Sequence, residues 1–556
     1  MHYWIPFLLI VLIILLVTSF LKSRISQKKK LAEIKKQWGK PKNTHRNFKL
    51  IAAYLTESKN SKISANTAID LDLDDLFAYI DRTNSKPGQQ YLYKKLHSPE
   101  ISEEYFDLLE QRITHINQYQ SLRELAELEL SALNNTNAYY LSGLFTKPHK
   151  PLFNSLAKIY IIIAPVLTIS LLVSLFIAPN QFAFILLLII IIANVGIHFV
   201  NKVKMLSFTH SLPQLLILCK VGKWLSNHNL LQNEAVINQS LSNVGKLKES
   251  LGFINFQNKL NSDPTDISYL ISEWLKMFLV IEPLVFIFSI TRINKYLGDI
   301  EKVYEAVAQV DMAISIQSVR DGTPHYCKPQ FLTGNENILI TDMYHPLIEN
   351  AVANSINIYN KQGALITGSN MSGKTTFIRT IAINALLSQT INTSFASAYS
   401  APPVKILTSI SINDDLGESK SYFQTEALSV KNIIESVISN KPTNSLVIID
   451  EIFRGTNTIE RIAAAKAVLS YLIENKSFVF VSTHDLELAE LLSLDYKIFS
   501  FEELIGDDRL VFDYKIKEGL LKNKNGIAIL KGLGYPNSII DDANRISMQL
   551  RDKYNL

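Results

Sequence analysis

The chain has 556 residues, 47% apolar and 19% charged, with 20 Gly and 18 Pro. This composition excludes a disordered chain, a collagen-like fibre and a low-complexity protein, and at about 150 residues per domain it allows three or four domains. Fifty-six Lys and Arg against 51 Asp and Glu leave a net +5, too weak to argue a nucleic-acid partner by itself. Two cysteines, Cys219 and Cys327, exclude a disulfide scaffold and suit a reducing compartment. The mean hydropathy of +0.11 must be explained by apolar segments somewhere along the chain.

The first lies at residues 3–20, without a charge, and is followed by Lys22, Arg24, Lys28, Lys29 and Lys30. A signal peptide would carry its positive charges before the apolar run. This order predicts an uncleaved transmembrane anchor over 1–21 with its C-terminal side in the cytoplasm. Residues 22–63 read as a basic juxtamembrane helix, attracted to anionic lipid. Helical apolar spacing then marks 64–150 as the first part of an all-α core. A second apolar block breaks at Ala178-Pro179-Asn180-Gln181, with Lys147, Lys150 and Lys158 before it and Lys202 and Lys204 after it. Both flanks are positive, so 157–200 reads as a transmembrane helical hairpin with a short outer turn. The competing reading is a buried hairpin of a soluble core, but 182–192 is apolar on every face. Residues 201–330 continue the helical core. Within them 277–290 is shorter and contains Glu282-Pro283, as in a core or interfacial segment. A fourth crossing there would also put the C-terminal half outside.

From about residue 338 the texture changes. Short β-rich runs (ILIT, ALITG, VKILTSI, SLVIID, FVFVST, RLVFDYKI) alternate with helical stretches. That pattern predicts an α/β domain with a mostly parallel sheet over 331–556.

This domain carries the chemistry. Gly368-Ser369-Asn370-Met371-Ser372-Gly373-Lys374-Thr375-Thr376 matches G-x-x-x-x-G-K-[ST], with a strand before and a helix after. Such a loop wraps phosphates in backbone N–H groups at a helix N-terminus. Lys374 reaches the β- and γ-phosphates of ATP, and the Thr375 hydroxyl ligates Mg²⁺. The run 445–449 ends in Asp450-Glu451: Asp450 would hold Mg²⁺ and Glu451 would polarise the attacking water. His484 tops another apolar strand, where it could sense the γ-phosphate. The segment from Gly417 through Ser421 to Glu426 precedes a helix and reads by itself as a loop and N-cap.

The order and wording of these motifs resemble the MutS mismatch-repair ATPase family. TGSNMSGKTTFIRT looks like its phosphate loop, Asp450-Glu451-Ile452-Phe453-Arg454-Gly455-Thr456-Asn457-Thr458 like its extended Walker B segment, and Thr483-His484 like its switch histidine. Ser421-Tyr422-Phe423 through Glu426 resembles its Ser-x-Phe signature, whose serine faces the other subunit's nucleotide. The resemblance therefore implies Ser421 acting in trans and a homodimer of ATPase heads. Tyr344-His345-Pro346-Leu347 is similar to the segment that opens the family's ATPase domain, so it adds His345 to the ATP site. Glu518-Gly519, Asn525-Gly526-Ile527 and Gly534-Tyr535-Pro536 resemble its closing dimerisation pattern. Upstream, Leu76-Phe77, Asp81-Arg82-Thr83, Gly88 and Leu96 resemble the start of its helical lever domain, and Val310-Asp311 through Ser315 with Tyr326-Cys327-Lys328-Pro329 its end.

The fold implied is an ABC/MutS-type P-loop ATPase domain preceded by an all-α lever domain with transmembrane helices. The activity implied is Mg²⁺-dependent ATP hydrolysis with lever motion and binding of mismatched or structured DNA. The departures are equally specific. An anchor and a basic helix stand where the mismatch-reading domain belongs, a hairpin interrupts the lever, and Phe501-Glu502-Glu503 is a chance match to the family's Phe-x-Glu wedge. An alternative expectation is therefore an ATPase acting on envelope or protein partners without DNA. An ABC-type transport ATPase fits less well, since it would carry more spans and a Leu-Ser-Gly-Gly-Gln-like signature. Three predicted transmembrane helices in contact with lipid make the expected location the cell (inner) membrane, multi-pass, with the ATPase domain in the cytoplasm.

Overall fold

The computed structural model describes residues 4–58, 62–99, 101–146, 149, 152–247, 267–332, 337–359, 362–369, 371–411, 422–439, 444–506, 509–520, 527, 530 and 534–554. It divides into two units. One comprises Met1–Ser61, Ile80–Lys95 and Asp107–Gly322; the other comprises Lys62–Tyr79, Leu96–Phe106 and Thr323–Leu556.

The first unit is helical. One helix, Trp4–Gln37, runs through the expected border between anchor and basic segment without a break. The hairpin consists of Ser155–Ile177 and Gln181–Asn227. Asn154 and Asn180 start the two helices, accepting from Ala157 N (2.9 Å) and Phe182 N (2.8 Å). The second helix has no interruption at Val200 and carries the hairpin directly into the following core. Among the described residues, Ser155–Ile177 and Gln181–Val200 are long and apolar enough to cross a membrane. The pair is tied by Asn194, fully buried, which accepts from Tyr160 Oη (2.8 Å) and donates to Thr168 Oγ1 (3.3 Å) and Phe278 O (2.6 Å). Residues 277–290 are divided at Val280, in the left-handed region (φ 45°), between the helices Ile267–Phe278 and Ile281–Lys295. Deeper in the unit, Asp311 from the helix Leu297–Asp321 accepts Asn84 N (2.8 Å), Ser85 N (2.7 Å) and Ser85 Oγ (2.6 Å). It thereby satisfies the backbone donors that open the helix Lys86–His97.

The second unit is built on two sheets. Its strands are β1 (Gln330–Phe331), β2 (Ile338–Met343), β3 (Asn354–Ile358), β4 (Gly363–Thr367), β5 (Ala398–Ala401), β6 (Val404–Ser409), β7 (Asn444–Asp450), β8 (Ser477–Ser482), β9 (Tyr496–Gly506) and β10 (Arg509–Glu518). The larger sheet has the order β10-β9-β4-β8-β7-β6, parallel except for the antiparallel edge pair β9–β10. The smaller, of order β1-β5-β2-β3, is mixed. β4 and β8 are buried at every position, as parallel strands covered on both faces should be. Leu365, Val447, Ile449, Val479 and Val481 pack against the helices Tyr422–Ser439 and Thr458–Glu474.

Two segments of the expected helical core, 64–79 and 96–106, fold with the sheet unit. Local contacts explain why. Buried Asp70 accepts the backbone N–H groups of Ile410 (3.1 Å) and Ser411 (2.7 Å) just past β6. Asp72 accepts from Arg379 Nη1 (2.5 Å), and Phe106 stacks on Phe331 at 5.6 Å.

Candidate functional site

The site forms at the C-terminal ends of β4, β7 and β8, where adjacent parallel strands deliver their following loops to one edge. β4 leads into the phosphate loop. Gly368 sits at φ 139°, and a Cβ there would lie 2.8 Å from Ser372 Oγ and 2.9 Å from Phe501 O, so the tight turn requires glycine. Buried Ser372 donates to Ser369 O (2.8 Å). Gly373 caps the helix Lys374–Ile391, which points its N-terminus into the loop. Lys374 is buried, with Nζ on Gly368 O (2.6 Å) and Ser369 O (2.7 Å).

The motifs separated in sequence meet here. Thr375 Oγ1 donates to Asp450 Oδ2 at 2.9 Å. Asp450 Oδ1 accepts from Ser482 Oγ at the end of β8. Glu451 continues at φ 54° and Phe453 at φ 62°, left-handed conformations that cost energy for non-glycine residues and concentrate at functional loops. The loop is held by Glu451 N to Ser482 O (2.9 Å) and by buried Glu426, which accepts from Phe453 N. Phe423 lies 6.0 Å from Phe453, ring to ring, so the helix beginning at Tyr422 packs directly on the Walker B segment.

Arg454 bridges the two acids, with Nη2 3.0 Å from Asp450 Oδ2 and Nε 2.9 Å from Glu451 Oε2. His484 Nδ1 stands 3.5 Å from Glu451 Oε2. The His484 hydrogen bond, with Arg454 and Lys374 nearby, outweighs burial and holds the Glu451 carboxyl below its ordinary range. Reciprocally, Glu451 pushes the His484 imidazole up. Glu451 is thus kept as an anion next to the phosphate loop, the form required of a group that orients water. Thr375 Oγ1 and Asp450 Oδ2 form an all-oxygen donor pair of the kind Mg²⁺ takes.

Beside the loop lies a cavity of about 470 Å³, lined by His345, Met371, Gly373, Thr376, Phe501 and Tyr514 among others. His345 is buried, accepts from Leu347 N at 3.3 Å through Nδ1, and has its pKa lowered to about 4, first by burial and then by Arg379. It is neutral at pH 7. Tyr514 occupies a bulge of β10 at φ 51°. Asn354 of β3 fixes that bulge, donating to Tyr514 O (2.9 Å) and accepting from Ile516 N (2.9 Å). The ring lies against Gly373, where a Cβ would come within 3.3 Å of it.

Of the residues expected from sequence, Gly368, Ser369, Met371, Ser372, Gly373, Lys374, Thr375, Thr376, Asp450, Glu451 and His484 gather at this edge, with His345 in the adjoining cavity. Asn370 and Ser421 lie outside the described residues, as do all of 417–421 and 525–526. Sequence reasoning missed Tyr514 and Asn354. Neither belongs to a spaced motif, and they are brought together from positions 160 residues apart.

A family model, MutS domain V, matches residues 364–551. The DNA mismatch repair protein MutS of Petrotoga mobilis is 32% identical over 288 residues, which is 50% of this chain and 34% of that protein. The protein of the same name from Clostridium botulinum is 33% identical over 278 residues, 47% of this chain and 29% of the relative. MutS protein homolog 4 of Mus musculus is 30% identical over 278 residues, 47% and 28% respectively. The chain spans about a third of the length of these curated relatives. The phosphate loop, the Asp450-Glu451 strand end and His484, assembled on one sheet edge, all lie within residues 364–551, which match the MutS domain V family.

Proposed function

We propose that this protein is a membrane-anchored, Mg²⁺-dependent ATPase of the MutS type. The observation that carries the reading is the meeting of Lys374, Thr375, Asp450, Glu451 and His484 at one strand edge. The loop's N–H groups and Lys374 bind the triphosphate, and Thr375 with Asp450 would hold Mg²⁺, which supplies positive charge to the phosphate oxygens. Glu451, kept ionised by His484 and Arg454, orients the attacking water, and catalysis is positioning plus electrostatic stabilisation. The cavity at His345 and Tyr514 receives the base. Two heads dimerise, with Ser421 of each reaching the other's nucleotide, and turnover moves the helical levers.

The hairpin supports the membrane part of the reading. Phe176 is 92% exposed, Val200 73% and Ile192 70%. Apolar side chains on two adjacent helices lie open on the protein surface, an arrangement that lipid satisfies and water does not. Lys158, Lys202 and Lys204 at its base fit a cytoplasmic side. Binding of mismatched or branched DNA follows from kinship alone. The second reading, an ATPase working on envelope or protein partners without DNA, is favoured by the hairpin inserted in the lever.

The test uses the detergent-purified full chain. Lys374→Ala should lose ATP turnover; a variant hydrolysing at the wild-type rate defeats the ATPase reading. Homoduplex, mismatched and junction DNA are then titrated at two salt concentrations. Structure-selective, salt-dependent binding supports the DNA arm, and no binding leaves the second reading.

A further inference from the structure

Glu451 stands at one ring nitrogen of His484 and Asp485 at the other. Asp485, the next residue, occupies the N-cap position of the helix Leu486–Leu491, yet its side chain makes no capping hydrogen bond. It turns instead to Arg461, in the first turn of the helix Thr458–Glu474 that follows the Walker B loop. The contact is a two-pronged fork: Nε to Oδ2 at 3.0 Å and Nη2 to Oδ1 at 2.7 Å, with both side chains largely buried. Asp485 N in turn donates to Thr483 Oγ1 at 3.1 Å. His484 Nε2 stands 3.8 Å from Asp485 Oδ1 while its Nδ1 faces Glu451.

A half-exposed imidazole on a loop would otherwise sample several rotamers. A planar guanidinium gripping the adjacent carboxylate removes that freedom, because the fork fixes orientation as well as distance. The pair also ties the loop after β8 to the helix after β7, so the two strand ends that carry Glu451 and His484 keep one spacing. We infer that Arg461 and Asp485 are positioning residues for the proposed ATPase reaction, acting through His484, which they hold against Glu451. This deepens the ATPase reading and rests on it.

The experiment measures kcat, the affinity for a non-hydrolysable ATP analogue with Mg²⁺, and the thermal midpoint on the detergent-purified full chain. The variants are Arg461→Met, Asp485→Asn, the double variant and Arg461→Lys. Misplacing one group in a preorganised site is expected to lower kcat between about 10- and 100-fold in each single variant, with nucleotide affinity held within about twofold. The double variant should be no slower than the worse single one, since the pair acts as a unit. Arg461→Lys, which keeps the charge but not the fork, should recover part of the rate. Unchanged kcat in both single variants overturns the inference. So does a kcat that falls only in step with affinity and thermal midpoint, which is the mark of a merely structural tie. Lys374→Ala is run alongside. Without Lys374-dependent turnover in the wild type, the ATPase reading fails and takes this one with it. With such turnover but no response to Arg461→Met, the positioning role alone fails.

Discussion

The strands β4, β7 and β8 and the hairpin helices are equally rich in Ile, Leu, Val and Phe, yet the two regions treat that surface in opposite ways. Every residue of β4 and β8 is buried between helices. Along Ser155–Ile177 only Ile161, Ala164 and Thr168 are buried, and the remaining side chains are half-buried or exposed. Charges differ in the same sense. At the sheet edge Lys374, Asp450 and Glu451 are buried and each makes polar contacts. In the hairpin the uncharged polar groups of Tyr160, Thr168 and Asn194 hydrogen-bond one another. The lesson is that apolar content alone does not define a core. What covers the segment, and whether its polar atoms are paired, separates a protein interior from a surface that asks for another solvent.

Four substitutions would break or sharpen this contrast. The largest effect is expected from Glu451→Gln, which keeps the shape but removes the anion. Turnover should fall about 10²- to 10⁴-fold with ATP still bound, read by steady-state kinetics beside analogue binding. Membrane association should be untouched; a coupled loss of both would erase the distinction between the regions. Next is Ile189→Lys on the exposed face of the hairpin. A charge at the centre of a span costs about 3 kcal/mol of insertion. Because residues 1–21 are a second expected anchor, the readout is labelling of a cysteine placed in the outer turn (Asn180→Cys) by a membrane-impermeant reagent. The wild-type hairpin should label from the outer face and the Ile189→Lys chain less, and no outer-face labelling of the wild-type hairpin would count against it as a span.

His345 sharpens the electrostatic half. Its folded pKa of about 4 lies below the ordinary 6.5, so the unfolded chain binds the proton first. Its stabilising contribution is therefore complete above pH 6.5 and is lost as pH falls toward 4. Between pH 7 and 5 the wild type should lose about 2 kcal/mol more than His345→Gln. Denaturant midpoints at the two pH values give the comparison, and equal losses would refute it. The smallest effect is that of Tyr514→Ala. Loss of one aromatic face from the cavity should weaken ATP binding about 3- to 10-fold with kcat nearly unchanged. A kcat effect instead would place the ring nearer the phosphates than the cavity suggests.

Much of the site could be read from the chain because its chemistry is local. Gly368 through Thr376 is one continuous loop whose residue types and spacing are set by the phosphate it wraps. Asp450-Glu451 and Thr483-His484 announce themselves by ending apolar runs. The resemblance then supplied their order and the place of His345. Other parts left no such mark. Arg461 and Asp485 are 24 residues apart, Arg379 and Asp72 307 apart, Asp70 and Ser411 341 apart. A lone Arg or Asp in a helix or turn looks like any solvated residue until its partner is brought beside it. Periodicity alone places 64–79 and 96–106 in the helical core, because period reports that a helix forms and says nothing about which unit it packs on.

The sequence by itself determined what covalent neighbours can encode: the glycine-lined loop, the acids and histidine at strand ends, the apolar hairpin with its Asn-capped turn. Only the tertiary structure decided which strand lies beside which, and so that Asp450 meets Thr375 and Ser482, that Tyr514 closes over Gly373, and that Arg461 grips Asp485. The physical reason is range. Backbone propensity and motif chemistry act over a few residues, whereas hydrogen bonds and ion pairs act over about 3 Å of space, a distance the chain alone leaves unspecified.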